Sequence, residues 1–349
     1  MAAMVELLAL NLEDRRDCER WQDYIHSRSD SHCADLAQWR LLFRELYGFQ
    51  HHDYVCLQGD RIAGALSLYE IRSPLMGPML VTCPFFGYGG FYWDSEAARE
   101  ALLERARCLA LESRVDTLEL RSSRELPPPL RVNADFAEFN LTLGATPEET
   151  WNRRLSSNAR QNIRRARAHD LEFRLSADHE RCFNLLRRTL RAHGTPFHGR
   201  RFFQLLDQHL GEQVRYSEVW HAGRVVAAAV VIRFKQTIVT PYIGSLAGYR
   251  SLRPNYLQYW GLIEHYAAEG VRRFEMGRSP RGSSHAQFKL KWGCDEMPLF
   301  YNYWVVKPRG RYRTVSRPSA LQRLATRVWK RLPLRMTTTL GPRLFRYLP

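Results

Sequence analysis

The stretch LLERARCLALESRVDTLELRSS, residues 102–123, returns in altered form as GLIEHYAAEGVRRFEMGRS, residues 261–279. In both, apolar residues first recur at helical spacing and then alternate, which predicts a helix feeding a short strand. Both strands end in Arg and Ser, and Val115, Leu118 and Ser123 fall on Val271, Phe274 and Ser279 at a constant separation of 156 residues. Upstream of each lies a hairpin pattern: YVCLQGDRIAGALSLY (54–69), turning at Gly59–Asp60, and YSEVWHAGRVVAAAVVIRF (216–234), turning at Gly223. A glycine-containing stretch follows each hairpin, FFGYGGFYW (85–93) and YIGSLAGYR (242–250). The economical reading is a mixed α/β (α+β) chain holding two copies of a β-hairpin, strand, helix, strand unit.

At 349 residues the chain exceeds what one hydrophobic core usually serves. We expect a first copy over 1–143, a second over 144–308 and a basic helical tail over 309–349. Between the copies, LGATPEETWNRRLSSNARQNIRRARAHDLEFRL (143–175) has a clear helix start: Thr146 as N-cap, Pro147 in the first turn, and Glu149 to complete a capping box. Trp151, Leu155, Ala159 and Ile163 recur every four residues as a buried stripe, with Ser156–Asn158 as an expected interruption. The arginines outside that stripe, Arg160 and Arg164 among them, are either a solvated face or a platform for phosphates, which guanidinium groups bind bidentately.

The net charge of +16 is unevenly placed: residues 307–349 hold twelve Lys or Arg and no Asp or Glu, leaving only +4 before them. The body is near balance and the tail is the basic element. The cysteines at 18, 33, 56, 83, 108, 182 and 294 are odd in number and never closer than 15 residues, which fits neither a CxxC zinc site nor a disulfide framework. The opening MAAMVELLALNLEDRRD has no basic start and no long apolar run, and Val225–Ile232 is only strand-sized, so the expected location is the cytosol. No GxxxxGK[ST], HExxH or GxSxG motif occurs, which disfavours a kinase, a zinc protease and an α/β-hydrolase. His51, His52 and Asp53 lack companion ligands, and no metal is expected. Glu119 and Glu275 hold equivalent repeat positions; Glu275 reads either as a base or as an outward-facing strand residue.

RQNIRRARAHDLEFR (160–174), LRPNYLQYWGLIEHYAAEGVRRFEMGRS (252–279) and FKLKWG (288–293), in that order and spacing, resemble the Fem family of aminoacyl and peptidyl transferases. The resemblance covers roughly residues 50–349 and is closest to the subgroup associated with exopolysaccharide and PEP-CTERM protein-sorting loci, whose end the closing WKRLPLRMTTTLGPRLFRYLP also resembles. It implies two tandem acetyltransferase-like (GNAT) domains and acyl transfer from a thioester or an aminoacyl-tRNA ester to an amine of a cell-envelope polymer precursor, peptidoglycan or exopolysaccharide. Phe288 and Lys289 fall on the family's Phe-Lys pair, where the lysine is thought to assist acyl transfer. A fixed ammonium beside the carbonyl oxygen stabilises the charge that develops there, so Lys289 is the catalytic candidate, with a lysine on a strand edge as the plainer alternative.

Tyr242, Asn255, Tyr256, Arg278, Ser279, Phe288 and Lys291 are the substrate-contact candidates beside the matched segments, and Arg160 and Arg164 join them as phosphate binders. The coiled-coil arm of some family members is missing, which leaves the donor open between aminoacyl-tRNA and acyl-CoA, neither expected to be a tightly bound cofactor. The acetyltransferase Arg/Gln-x-x-Gly-x-Gly/Ala signature for a CoA pyrophosphate is missing too. A coenzyme A dependent acetyltransferase of a small amine and a non-catalytic polymer-binding protein are the rival readings.

In SRPSALQRLATRVWKRLPL (316–334), Leu321, Leu324, Val328 and Leu332 form one apolar stripe and Arg323, Arg327, Lys330 and Arg331 crowd the other faces, between Pro318 and Pro333. Such a helix is too short to cross a bilayer. An anionic membrane surface at the inner face, the protein's own core, and RNA, tRNA included, are its candidate partners.

Overall fold

The computed structural model describes residues 5–74, 76–307 and 320–348. They form two compact units: residues 5–136, 298–307 and 347–348 in the first, residues 137–297 and 320–346 in the second. In chain order the first unit holds β1 (Glu6–Leu10), α1 (Arg15–Ser27), α2 (Gln38–Tyr47), β2 (Gln50–Gln58), β3 (Arg61–Ser73), β4 (Gly77–Val81), β5 (Phe91–Trp93), α3 (Glu96–Glu112) and β6 (Thr117–Ser122). The chain leaves it along β7 (Arg131–Thr142). The second unit continues with α4 (Pro147–Arg153), α5 (Ser157–Arg167), β8 (Glu172–Ser176), α6 (His179–His193), α7 (Arg200–Leu210), β9 (Val214–His221), β10 (Arg224–Phe234), β11 (Thr237–Ser245), α8 (Pro254–Ala268), β12 (Arg273–Pro280) and α9 (Ser284–Leu290). Strand β13 (Asp295–Val305) returns the chain to the first unit, while α10 (Ala320–Arg331) and α11 (Leu334–Phe345) belong to the second.

The boundary expected at 143/144 thus falls at 136/137, and residues 298–305 complete the first unit rather than the second. The reason is pairing: Phe300–Val305 runs antiparallel to Thr117–Ser122, and the buried Asn302 side chain accepts from Leu126 N and donates to Leu120 O. The tail is not a separate body either, since residues 320–346 pack with the second unit; its residues 309–319, Pro318 included, and the Leu321 side chain lie outside the described residues.

The repeat read from the sequence is present strand for strand. The first unit orders its sheet β1-β2-β3-β4-β6-β13 with β5 on β3, and the second β7-β12-β11-β10-β9-β8. In each, an antiparallel hairpin (β2–β3, β9–β10) gains a third strand (β4, β11), which pairs parallel with the strand that follows the helix (β6, β12). The registers coincide: Val81 stands opposite Glu119, and Val239 opposite Glu275. The crossover helices bury their apolar stripes on these sheets, α3 through Leu102, Leu103, Ala106 and Ala110 and α8 through Tyr259, Leu262, Ile263 and Tyr266. The helix expected after Thr146 divides at Ser156 into α4 and α5, because the Ser156 hydroxyl accepts from Ala159 N and starts a new helix there.

Candidate active site

Beyond Val239 and Glu275 the parallel pair β11–β12 stops hydrogen bonding, although the strands continue to Ser245 and Pro280. The residues explain the parting. Ile232 pairs with Val239 and Val230 with Tyr242, so Thr240 and Pro241 together face Val231 as a β-bulge. Pro241 has no N–H to carry the ladder on. On the other strand Gly277 takes φ +81°, a conformation that favours glycine and turns the backbone aside.

Lys289 enters at this parting. Its ammonium donates to Gly277 O and, at 3.3 Å, to Arg278 O, and lies 5.2 Å from the centre of the Phe139 ring. A Cβ placed on Gly277 would stand 3.8 Å from Thr240 O and 4.0 Å from Lys289 Nζ, which puts the nitrogen beside both diverging strands. Lys289 is 8 % exposed, and burial pushes its pKa down to about 8 against the opposing pull of the Glu138 carboxylate. An ammonium has three donors, and the Gly277 and Arg278 carbonyls engage two of them. Thr240 Oγ1 and Asn255 Oδ1 are buried and have no hydrogen-bond partner among the described residues.

The lysine is held by a helix too short to be stable alone. FKLKWG is therefore not a strand edge but the end of α9 and its exit turn, pinned at both ends. Ser283 Oγ accepts from Ala286 N at the start. At the exit, Ser156 Oγ donates to Lys291 O at 2.5 Å, Arg154 donates to Gly293 O at 2.8 Å and pairs with Asp295 at 2.6 Å, and Trp292 is fully buried.

The first unit closes the matching position. Past Val81 and Glu119, Thr82 N donates to Glu119 O at 3.2 Å and Arg121 N to Thr82 Oγ1 at 3.0 Å. The Arg121 guanidinium, fully buried, bonds Glu119 at 2.6 Å, Cys83 O at 3.1 Å and Phe86 O at 2.8 Å. Where the second copy parts, the first is sealed by an arginine. Glu275, the equivalent of Glu119, does not face outward: it is 1 % exposed with Arg273 at 3.5 Å.

Of the sequence candidates, Lys289 and the Arg278 carbonyl meet at the parting, and Ser279 is buried one residue further along β12. The Arg278 charge also reaches Tyr242, whose hydroxyl shares a 2.7 Å hydrogen bond with Nε2 of the buried His198. Burial raises the Tyr242 pKa and drives that of His198 well down, so both are neutral near pH 7. Tyr256 and Phe288 form an aromatic cluster with Trp292 and Tyr259; Tyr256 stacks on Trp292 at 5.7 Å and meets Phe288 edge-on at 5.5 Å. Lys291 contributes its carbonyl to the exit turn and exposes its side chain. Arg160 and Arg164 both attach to Trp151, Arg160 by donating to its carbonyl at 3.2 Å and Arg164 by lying 5.6 Å over its ring. Sequence reasoning missed Thr240, Pro241 and Glu138; the Val-Thr-Pro at 239–241, matching Val-Thr-Cys at 81–83 of the first copy, was the available signal. An open polar cavity of about 780 Å³ lies in the first unit, lined by Arg16, Tyr24, Arg28, Asp60 and Arg124 among others, and Lys289 is not part of it.

Residues 153–290 match the acetyltransferase (GNAT) domain family. Among solved structures, the fold is similar to that of FemX (12 % identity, TM-score 0.65, covering 85 % of this chain and 96 % of that one). It is also similar to a tandem GNAT protein from the clavulanic acid biosynthesis pathway (11 %, 0.54, 86 % and 98 %) and to L-PGS from Bacillus licheniformis (11 %, 0.52, 94 % and 96 %). No curated protein sequence matches the chain significantly. The duplicated strand order and these likenesses agree: the fold is a mixed α/β one of tandem GNAT type, and its second copy carries the matched acetyltransferase (GNAT) domain.

Proposed function

We propose that the protein is an N-acyl or aminoacyl transferase of Fem type, moving an acyl group from an activated ester or thioester to an amine of a cell-envelope polymer precursor. The observation that carries this reading is the Lys289 ammonium, fixed on two backbone carbonyls at the parting of β11 and β12. The amine nitrogen attacks the acyl carbonyl carbon, the carbonyl oxygen takes up negative charge, and the ammonium stabilises it. Collapse of the tetrahedral adduct breaks the bond to the leaving thiolate or ribose oxygen, while the amine proton passes through water to that leaving group. Orienting the two reactants supplies much of the remaining acceleration.

The likeness to FemX and the Fem-like segments at 160–174, 252–279 and 288–293 favour an aminoacyl-tRNA donor and an acceptor of peptidoglycan or exopolysaccharide type, lipid-linked and reached from the inner face of the membrane. The closing segment favours the subgroup found with exopolysaccharide and PEP-CTERM loci. A second reading, acyl-CoA as donor, is favoured by the acetyltransferase (GNAT) match over 153–290.

Protection from thermal unfolding separates the donors: the true donor raises Tm and the other does not. Transfer to envelope precursors followed by mass spectrometry is then compared between the native chain and Lys289→Ala. A fall in kcat of about 10²–10³-fold with the fold intact by circular dichroism is expected, and unchanged transfer overturns the assignment.

A further inference from the structure

Helices α10 and α11 pack on the body of the second unit through few large apolar side chains. On α10 the buried residue is Trp329, while Gly194 at the end of α6 leaves room for Thr326. Arg191 of α6 donates to Leu332 O at 2.7 Å, and Arg187 donates to Thr338 Oγ1 at 3.2 Å. On α11 the inward row is Thr337, Gly341 and Phe345, with Gly341 against the Phe197 backbone and the Phe345 ring 4.3 Å from that of His198. Small residues and one indole thus do the docking. Of the apolar stripe read from the sequence, for which a lipid surface, the protein's own core and RNA were the candidates, two members stand outward: Leu324 is 56 % exposed and Val328 50 %.

On α11 the outward row is Met336, Leu340 and Leu344, spaced by four and likewise exposed. Five large apolar side chains therefore stand outward on two successive helices. Among them and beside them lie Arg323, Arg327, Lys330, Arg331, Arg335 and Arg343, all exposed, and no carboxylate side chain occurs anywhere from 307 to 349.

We propose that this two-helix face lies on an anionic lipid leaflet. The chemistry selects that partner: the leucines, valine and methionine call for an apolar phase, and cations in the same rows call for negative charge at its boundary. RNA would satisfy the cations and leave the apolar rows in water. A second copy of the same face would set arginine against arginine. No helix among the described residues is long and apolar enough to cross a membrane, so the face rests on the surface rather than entering it as a span. The docking rows lie one residue on from the exposed rows, about 100° round each helix, so the exposed face is presented with the docking residues already packed on the second unit.

The test is sedimentation of the full chain with phosphatidylcholine vesicles and with vesicles holding about a third phosphatidylglycerol, beside filter binding to bulk tRNA. Binding to the anionic vesicles and not the neutral ones is expected. Val328→Ser with Leu340→Ser should weaken it about tenfold or more, by loss of buried apolar surface. Arg327→Gln should weaken it roughly fivefold, the worth of one cation near the surface. All three substitutions are at exposed positions, and an unchanged Tm shows that the fold survives. Failure to bind anionic vesicles overturns the proposal. So does a double serine variant that binds them like the native chain, or tRNA binding that exceeds vesicle binding and ignores the serines.

Discussion

The Lys289 ammonium is bonded to the carbonyl oxygen of Gly277, the residue at which β12 turns into the left-handed region. Helix α9 brings the cation and strand β12 brings the oxygen that aims it. Because the nitrogen is buried, its folded-state pKa of about 8 lies below the ordinary 10.5.

That depression has a definite sign. Between about 8 and 10.5 the unfolded chain holds a proton that the folded chain has lost, so the stability contributed by this group rises with pH across that window. Native protein should gain about 3 kcal/mol relative to Lys289→Met over that range, read from urea unfolding at stepped pH. Activity should move the other way, with kcat falling above pH 8 as the ammonium is lost.

Gly277 and Gly293 share a positive φ and differ in room. A Cβ on Gly277 meets nothing closer than 3.8 Å, so Gly277→Ala should cost about 1 kcal/mol of backbone strain. Its larger effect should be on kcat, through a re-aimed carbonyl. At Gly293 the Cβ would fall 2.1 Å from Arg154 O, and Gly293→Ala should cost about 3 kcal/mol or more. Thermal melts and steady-state kinetics on both variants check the contrast.

Tyr242 bonds His198, so its first duty is internal. Tyr242→Phe leaves a buried imidazole nitrogen without that hydrogen bond and should destabilise the fold by about 1–2 kcal/mol. KM should change by less than about twofold, because a group engaged inside contributes little to substrate binding.

Thr240 offers the opposite case. Its buried hydroxyl has no partner among the described residues and stands at the bulge beside the lysine. Thr240→Val should raise stability by about 1 kcal/mol and raise KM about tenfold, the value of one hydrogen bond to substrate. Denaturation midpoints and KM measured on the same preparation test both halves.

The duplicated architecture was legible because helix and strand periods are local properties, and both copies wrote them in the same order. The hairpin turns at Gly59 and Gly223 likewise needed only their neighbours, both taking positive φ. What escaped was decided at long range. Residues 300–305 pair with β6 through partners nearly two hundred residues away, so no local pattern could assign them. Helix α9 is seven residues whose exit turn depends on Arg154 and Ser156, and its sequence alone suits a loop. The tail's apolar stripe left its partner open, and the inward side went instead to Trp329 and the small residues of α11, which carry no amphipathic signal. For the candidate site, the role expected of Lys289 came from the resemblance, and Glu138 and Thr240 carry no motif of their own.

Arg121 has one more implication. A guanidinium with no exposed surface, bonded to two carbonyls and a carboxylate, is expensive to displace and fills the position that stands open in the second copy. One reacting position per chain is therefore expected. Titrated with a tight mimic of donor and acceptor joined, each polypeptide should saturate at one equivalent along a single hyperbola, with no second plateau.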